Sequence, residues 1–250
     1  FSLVSAKDNS KDQSYFLCQL GQEQLKKIIF PIGNLLKSEV REIAKKNNLA
    51  TADRKDSQGL CFVGKIKIPE FLSSKLKKKR GDVIEIPTNH PSYLKKKINI
   101  QEKRKKILYK PTDGKIIGQH YGAHFFTIGQ RKGLDIGGKK EPLFVIQTDV
   151  TNNIIYVGMG EKHPGLFKES LKIKKNQCHW IRQDQKIKIG EKKDFLIRTR
   201  YRQKLIPGKL IMDKDYLHIE FSEKTKSITP GQFAAWYLNN ELIGSGPILE

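Results

Sequence analysis

The chain has 250 residues with 37% hydrophobic content, enough to bury a core and too apolar for a disordered chain. Its formal net charge of +22 suits a polyanionic partner, nucleic acid first and an anionic membrane surface second. The three cysteines, Cys18, Cys61 and Cys178, are odd in number and widely spaced, which excludes a disulfide framework and a Cys/His zinc spacing and favours a reducing compartment. With 39 Lys against 9 Arg, the basicity also fits a general lysine enrichment of the surface, so the few arginines are the more informative cations. No apolar run approaches the roughly 20 residues of a membrane helix, and no signal peptide is visible. A start at Phe1 fits a fragment or a processed product.

In chain order, Ser10 or Asp12 caps a helix expected from about Gln13, with Tyr15, Phe16 and Leu20 on one face and Cys18 as packing. Leu25, Ile28 and Ile29 form a second short helical stripe, and Val40, Ile43 and Ala44 follow helical spacing over 37–47. Residues 51–59 read as a charged loop, and 66–76 as another helix with Pro69 in its first turn. Strands are expected at 83–86, 115–118, 143–149 and 154–158, with Asp113-Gly114 and Asn152-Asn153 as turns. The stretch 87–112 is lysine-rich and aperiodic, as in an insertion or a long exposed loop. After His163-Pro164-Gly165, six short alternating segments at 178–181, 195–201, 209–212, 216–221, 233–238 and 241–245 read as a small β-barrel.

Three segments carry candidate chemistry. Asp56-Ser57-Gln58-Gly59-Leu60-Cys61-Phe62-Val63-Gly64 places a thiol between a polar loop and an apolar run. Cys61 is therefore either a thiol delivered by a moving loop or the first residue of a buried strand. The glycine-rich stretch 118–138 matches neither phosphate-loop fingerprint. It reads either as tight turns in a small β domain or as a loop meeting nucleic-acid backbone through Arg131 and Lys132. Arg198-Thr199-Arg200-Tyr201-Arg202-Gln203 is the densest arginine cluster. On a strand it puts three guanidinium groups on one face for phosphates, with Tyr201 available to stack on a base. A solvated sheet face is the alternative. The six histidines show no metal spacing, so no metal site is expected.

Taken together, these segments resemble the bacterial tRNA-specific 2-thiouridylases. The resemblance rests on Asn9-Ser10-Lys11-Asp12-Gln13-Ser14-Tyr15-Phe16-Leu17, Phe30-Pro31-Ile32-Gly33, and Lys55 through Gly64. It continues through Phe126-Thr127-Ile128-Gly129-Gln130-Arg131-Lys132-Gly133-Leu134, Arg198 through Gln203, and Thr229-Pro230-Gly231-Gln232. These motifs occur in the family's order and cover nearly the whole chain except about 87–112.

The resemblance implies a multidomain α+β protein: the helical tail of a PP-loop α/β catalytic domain over 1–65, a small mainly β central domain over 66–165, and a C-terminal antiparallel β-barrel that binds tRNA over 166–250. It implies a cytoplasmic, monomeric sulfurtransferase with tRNA and a persulfide-carrying donor protein as partners and no membrane. In that family, ATP with Mg²⁺ adenylates the C2 oxygen of the wobble uridine at tRNA position 34, and a cysteine persulfide then supplies sulfur. Cys61 matches the persulfide-bearing cysteine. A second cysteine, which forms a disulfide with it to release sulfur, is expected in the catalytic domain, and Cys18 does not match it. Lys11, Asp12 and Gln13, together with Arg200, Tyr201 and Gln232, match tRNA contacts. No PP-loop sequence is present, so the nucleotide site is expected outside this chain. A chain acting only as a tRNA-binding module is the alternative.

Overall fold

The computed structural model describes residues 1–54, 71, 74–94, 107–226 and 228–249. Two compact units divide the chain, one of Phe1–Asp56, Ser170–Glu223 and Pro230–Glu250, the other of Ser57–Glu169 and Lys224–Thr229. The described structure is mainly β, with helices at α1 (Gln22–Leu25), α2 (Lys37–Lys46) and α3 (Pro91–Leu94).

The first unit is built on most of an eight-stranded sheet. Its strands are β1 (Leu3–Val4), β6 (Phe167–Lys174), β7 (His179–Trp180), β8 (Lys192–Arg198), β9 (Ile206–Met212), β10 (Tyr216–Lys226), β11 (Phe233–Leu238) and β12 (Glu241–Pro247). They run in the order β1-β12-β11-β8-β9-β10-β6, with β7 against β12. The expected C-terminal barrel is therefore an open path among the described residues, with β1 and β6 at its two ends. Apolar residues that alternate along β8 and β11 meet the N-terminal segment in one core of Leu3, Cys18, Leu25, Ile181, Ala235, Tyr237 and Leu242. The 1–56 segment thus folds with the C-terminal strands, and β1 pairs Leu3 with Leu242.

Two helical expectations change. Residues Ser14–Leu17 form a 3-10 turn rather than an α-helix. The Asp12 carboxylate accepts from the Ser14 N–H, and Tyr15 is drawn inward by its hydroxyl, so Phe16 rotates out instead of sharing a face with Tyr15. α1 stops at Leu25, so the Leu25–Ile29 stripe does not form and Ile29 lies 86% exposed. α2 forms at the expected place, capped by Glu39 reaching the Leu36 N–H, yet none of its residues is buried. The helix expected at 66–76 lies largely outside the described residues.

The second unit holds a four-stranded sheet of β2 (Gly81–Glu85), β3 (Lys115–His120), β4 (Leu143–Asp149) and β5 (Ile154–Met159), ordered β3-β2-β5-β4. β2 runs parallel to β5 and antiparallel to β3, and β4 and β5 form the hairpin expected around Asn152-Asn153. Two apolar clusters cover it, one around Val83, Val145 and Val157 and the other around Ile84, Tyr109 and Tyr156. Gly81 is required here, because a Cβ would sit 2.0 Å from the Asn153 carbonyl oxygen. Asn153 itself fastens this corner, donating to the Lys79 and Arg80 carbonyls and accepting from the Ala123 N–H.

Candidate nucleic-acid interface

The first unit brings three distant segments to one place. Its base is an ion pair between Asp12 and Arg198 at 2.7 Å, with side chains 1% and 8% exposed. The same carboxylate accepts from the Ser14 hydroxyl at 2.9 Å and from the Ser14 and Ala6 N–H groups at 3.0 and 3.2 Å. Burial pushes the Asp12 carboxyl up, but Arg198 and these hydrogen bonds outweigh it and hold the group below the ordinary carboxylate range. Arg198 also lies over the Tyr237 ring at 5.5 Å, and the Tyr237 hydroxyl meets the Ser14 hydroxyl at 3.1 Å.

Tyr15 completes the junction. Its hydroxyl donates to the Phe233 carbonyl at 2.9 Å and lies 3.2 Å from the Thr199 carbonyl. That one side chain spans the neighbours of Gln232 and Arg200. Burial raises the Tyr15 and Tyr237 hydroxyls to about 12, so both remain neutral hydrogen-bonding groups at ordinary pH.

The arginine cluster is not a strand. β8 ends at Arg198, and Thr199 turns the chain by donating its N–H and hydroxyl to Gln203 Oε1 at 2.7 and 2.9 Å. Arg202 takes a left-handed φ of 61°. The alternation that would line up Arg198, Arg200 and Arg202 is therefore broken: Arg198 is buried against Asp12, while Arg200 and Arg202 are exposed.

Around this turn, Gln13 Nε2 lies 3.5 Å from the Tyr201 hydroxyl. The Phe16 and Tyr201 rings are 4.5 Å apart at 41°, and the Arg202 guanidinium lies over Tyr201 at 5.1 Å. Gln232 sits half-buried beside Gly231, and its carbonyl accepts from the Ile248 N–H at 2.7 Å. Lys11, Gln13, Arg200, Tyr201 and Gln232 thus belong to the same unit as the Asp12–Arg198 pair, and Asp12 faces inward rather than outward. The inward pair, the Tyr15 bridge and Phe16 were not expected from the sequence. The adjacency of Tyr15 and Phe16 to the Lys-Asp-Gln segment was the only local signal.

Cys61 lies outside the described residues. Cys18 is a core thiol, 3% exposed and raised by burial, and the Ser245 hydroxyl donates to its carbonyl. Burial raises the Cys178 thiol to about 12. In the second unit, Arg131 and Lys132 are exposed on a turn closed by Gln130, whose side chain accepts from the Thr127 N–H and donates to the Lys132 carbonyl. Among the described residues, no three His, Cys, Asp or Glu side chains group to hold a metal, and no helix is long and apolar enough to cross a membrane.

Three family models match the chain in order. They are a tRNA methyl transferase HUP domain over residues 1–65, a tRNA methyl transferase PRC-barrel domain over residues 69–159 and an aminomethyltransferase beta-barrel domain over residues 170–248. With the two sheets, this succession defines a mainly β, multidomain protein. Relatives named tRNA-specific 2-thiouridylase are 52% identical in Christiangramia forsetii and 51% in Flavobacterium johnsoniae, each over 99% of this chain and 65% of the relative. Another, from Karelsulcia muelleri, is 52% identical over 99% of this chain and 64% of the relative. The chain belongs to the tRNA-specific 2-thiouridylase family, and it spans about two thirds of the length of these relatives.

Proposed function

We propose that this chain is the tRNA-holding and sulfur-delivering portion of a tRNA-uridine 2-sulfurtransferase. The convergence of Gln13, Tyr201 and Arg202 above one buried ion pair is the observation that carries this reading. It offers cations for phosphates and an aromatic surface for a base on a rigid floor, the combination that single-stranded RNA requires. In this proposal, Lys11, Gln13, Arg200, Tyr201 and Gln232 contact tRNA, and Asp12 acts from beneath by fixing Arg198 and Ser14. The domains are assigned as 1–65 to the catalytic-domain tail, 66–165 to the central domain with its lysine-rich insertion, and 166–250 to the tRNA-binding β domain.

Cys61 is proposed to carry the persulfide, delivered by a separate donor protein; its outer sulfur attacks C2 of the wobble uridine and displaces the activated oxygen, and a second cysteine outside this chain then breaks the S–S bond by forming a disulfide with Cys61, leaving the sulfur on C2. ATP with Mg²⁺ supplies that activation in the family. The described glycine-rich cleft does not fit it: the space of about 590 Å³ between Arg131 and Leu143 carries the carboxylates of Asp135 and Glu141, and Lys139 there is already paired with Glu85. The nucleotide is therefore assigned to the part of the relatives that this chain does not span.

A second reading is a tRNA-binding module without catalysis, favoured by the placement of the whole convergent face within one unit of this chain. The two readings separate in one set of experiments. Given ATP, a persulfide donor and tRNA, the 250-residue chain is expected to bind tRNA and make no 2-thiouridine. Joined to the missing portion of a relative, it is expected to thiolate, and Cys61→Ser is expected to abolish thiolation with tRNA affinity retained. Thiolation by the Cys61→Ser form would remove that residue from the mechanism. Arg200→Ala is expected to weaken binding and flatten its salt dependence by about one counterion; an unchanged slope would return Arg200 to the solvated surface.

A further inference from the structure

Phe16 is a large apolar ring held 60% exposed inside a segment whose neighbours are all pinned. Ser14 is buried against Asp12 and Tyr237, and the Tyr15 hydroxyl is tied to the Phe233 and Thr199 backbone. The 3-10 turn that results leaves Phe16 no route into the core. Its one close aromatic partner on that side is Tyr201, at 4.5 Å and tilted by 41°. Tyr201 is half-buried, with Phe16 against it and the Arg202 guanidinium over it. The open aromatic surface of this cluster therefore belongs to Phe16 rather than to Tyr201.

We infer that Phe16 is the stacking platform for an unpaired RNA base, with Tyr201 backing its ring and Arg202 completing the row toward a phosphate. The inference rests on the tRNA-binding reading and assigns to Phe16 the contact that the sequence alone gave to Tyr201. Three features favour a base over a protein partner. The exposed ring packs on a Tyr201 that carries the Arg202 guanidinium, the chain carries a net charge of +22, and Gln13, with its amide 3.5 Å from the Tyr201 hydroxyl, offers a polar group for a base edge. Arg202 holds its left-handed φ of 61° without a glycine, a strained conformation that is more often kept at functional positions. A scattered exposed phenylalanine is ordinary on a protein surface; one seated on a tyrosine with an arginine over it has the geometry that a base would extend.

The test is a titration of the full chain with an unmodified tRNA transcript that carries a wobble uridine, at several salt concentrations. Phe16→Ala is expected to weaken binding by roughly 5- to 100-fold, with the plot of log affinity against log salt parallel to wild type, since a stacking contact releases no counterion. Arg200→Ala in the same assay changes the slope. Phe16→Leu is expected to bind like Phe16→Ala, because it keeps apolar volume and loses the ring face. Phe16→Trp is expected to bind within a few-fold of wild type, with its indole fluorescence quenched by tRNA. Melting temperatures of all three variants are expected to stay close to wild type.

Wild-type affinity in Phe16→Ala, recovered affinity in Phe16→Leu, or an unquenched Phe16→Trp would each overturn the inference while leaving the tRNA reading intact. A lowered melting temperature in both Phe16→Ala and Phe16→Leu would assign the ring to packing and overturn it as well. Failure of the wild-type chain to bind tRNA would overturn the underlying reading, and this inference with it.

Discussion

Replacing Asp12 by Asn leaves the Arg198 guanidinium buried without its counter-charge, in a site where the two side chains are 1% and 8% exposed. Breaking such a pair from one side typically costs about 3–5 kcal/mol, because the remaining charge keeps its desolvation penalty. Asp12→Asn is therefore expected to lower the denaturant midpoint by a corresponding amount, measured by urea unfolding near neutral pH. The pH dependence carries the sign. The Asp12 carboxyl is held below its ordinary range in the folded chain, so its contribution is complete above the unfolded value of about 3.9 and is lost as pH falls through the folded value. The stability gap between wild type and Asp12→Asn is expected to be constant at neutral pH and to close in acid below about pH 4. A gap that does not narrow as pH falls below about 4 would show that the carboxylate charge is not its source. The sequence exposed Asp12 and Arg198 as members of two motifs but not as partners, because 186 residues separate them and no local pattern encodes the pair.

Among the elements, β4 and β11 lie where periodicity put them, at Leu143–Asp149 and Phe233–Leu238. Both are apolar runs bounded by strong turn residues, so local chemistry and tertiary burial agree. The 195–201 segment misled for the opposite reason. Its alternating arginines satisfy a strand pattern, yet the Thr199–Gln203 hydrogen bonds and the left-handed Arg202 make a turn. α2 was legible as a helix, whereas the cover for its apolar side was not, and Ile43 remains 49% exposed.

β12 gives a sharp prediction at this scale. At Gly244, a Cβ would lie 2.4 Å from the His179 carbonyl oxygen and 2.8 Å from Trp236 Nε1. Gly244→Ala must push β7 away from β12 or displace a fully buried indole, and is expected to destabilise the chain by about 1–3 kcal/mol. Gly137→Ala, where a Cβ meets nothing within 4 Å, is the matched control and is expected to leave the melting temperature unchanged.

For the whole molecule, the stretch from Ile28 to Leu49 is anomalous. Ile29, Phe30, Ile32, Ile43 and Leu49 are 86%, 47%, 57%, 49% and 54% exposed within a region that matches a HUP domain. Under the proposal above, the portion of the relatives that this chain does not span covers that stretch. The 250-residue chain is then expected to bind a hydrophobic dye, and joining it to that portion is expected to reduce the signal and raise the melting temperature. An unchanged dye signal in the longer form would mean that another partner covers these residues.

The pairing of β1 with β12 has a consequence for synthesis. Leu3 finds its strand partner at Leu242, and the Ser245 hydroxyl reaches the Cys18 carbonyl across 227 residues. Translation delivers these partners far apart in time. The Lys11–Gln13 segment emerges well before β12 and cannot complete its junction until β12 leaves the ribosome. Closing so long a loop adds little entropy beyond that of a moderate one, but it makes the candidate RNA-facing junction wait for the synthesis of β12. Any ribosome that stalls before β12 releases a product with neither its sheet edge nor its candidate tRNA face in place.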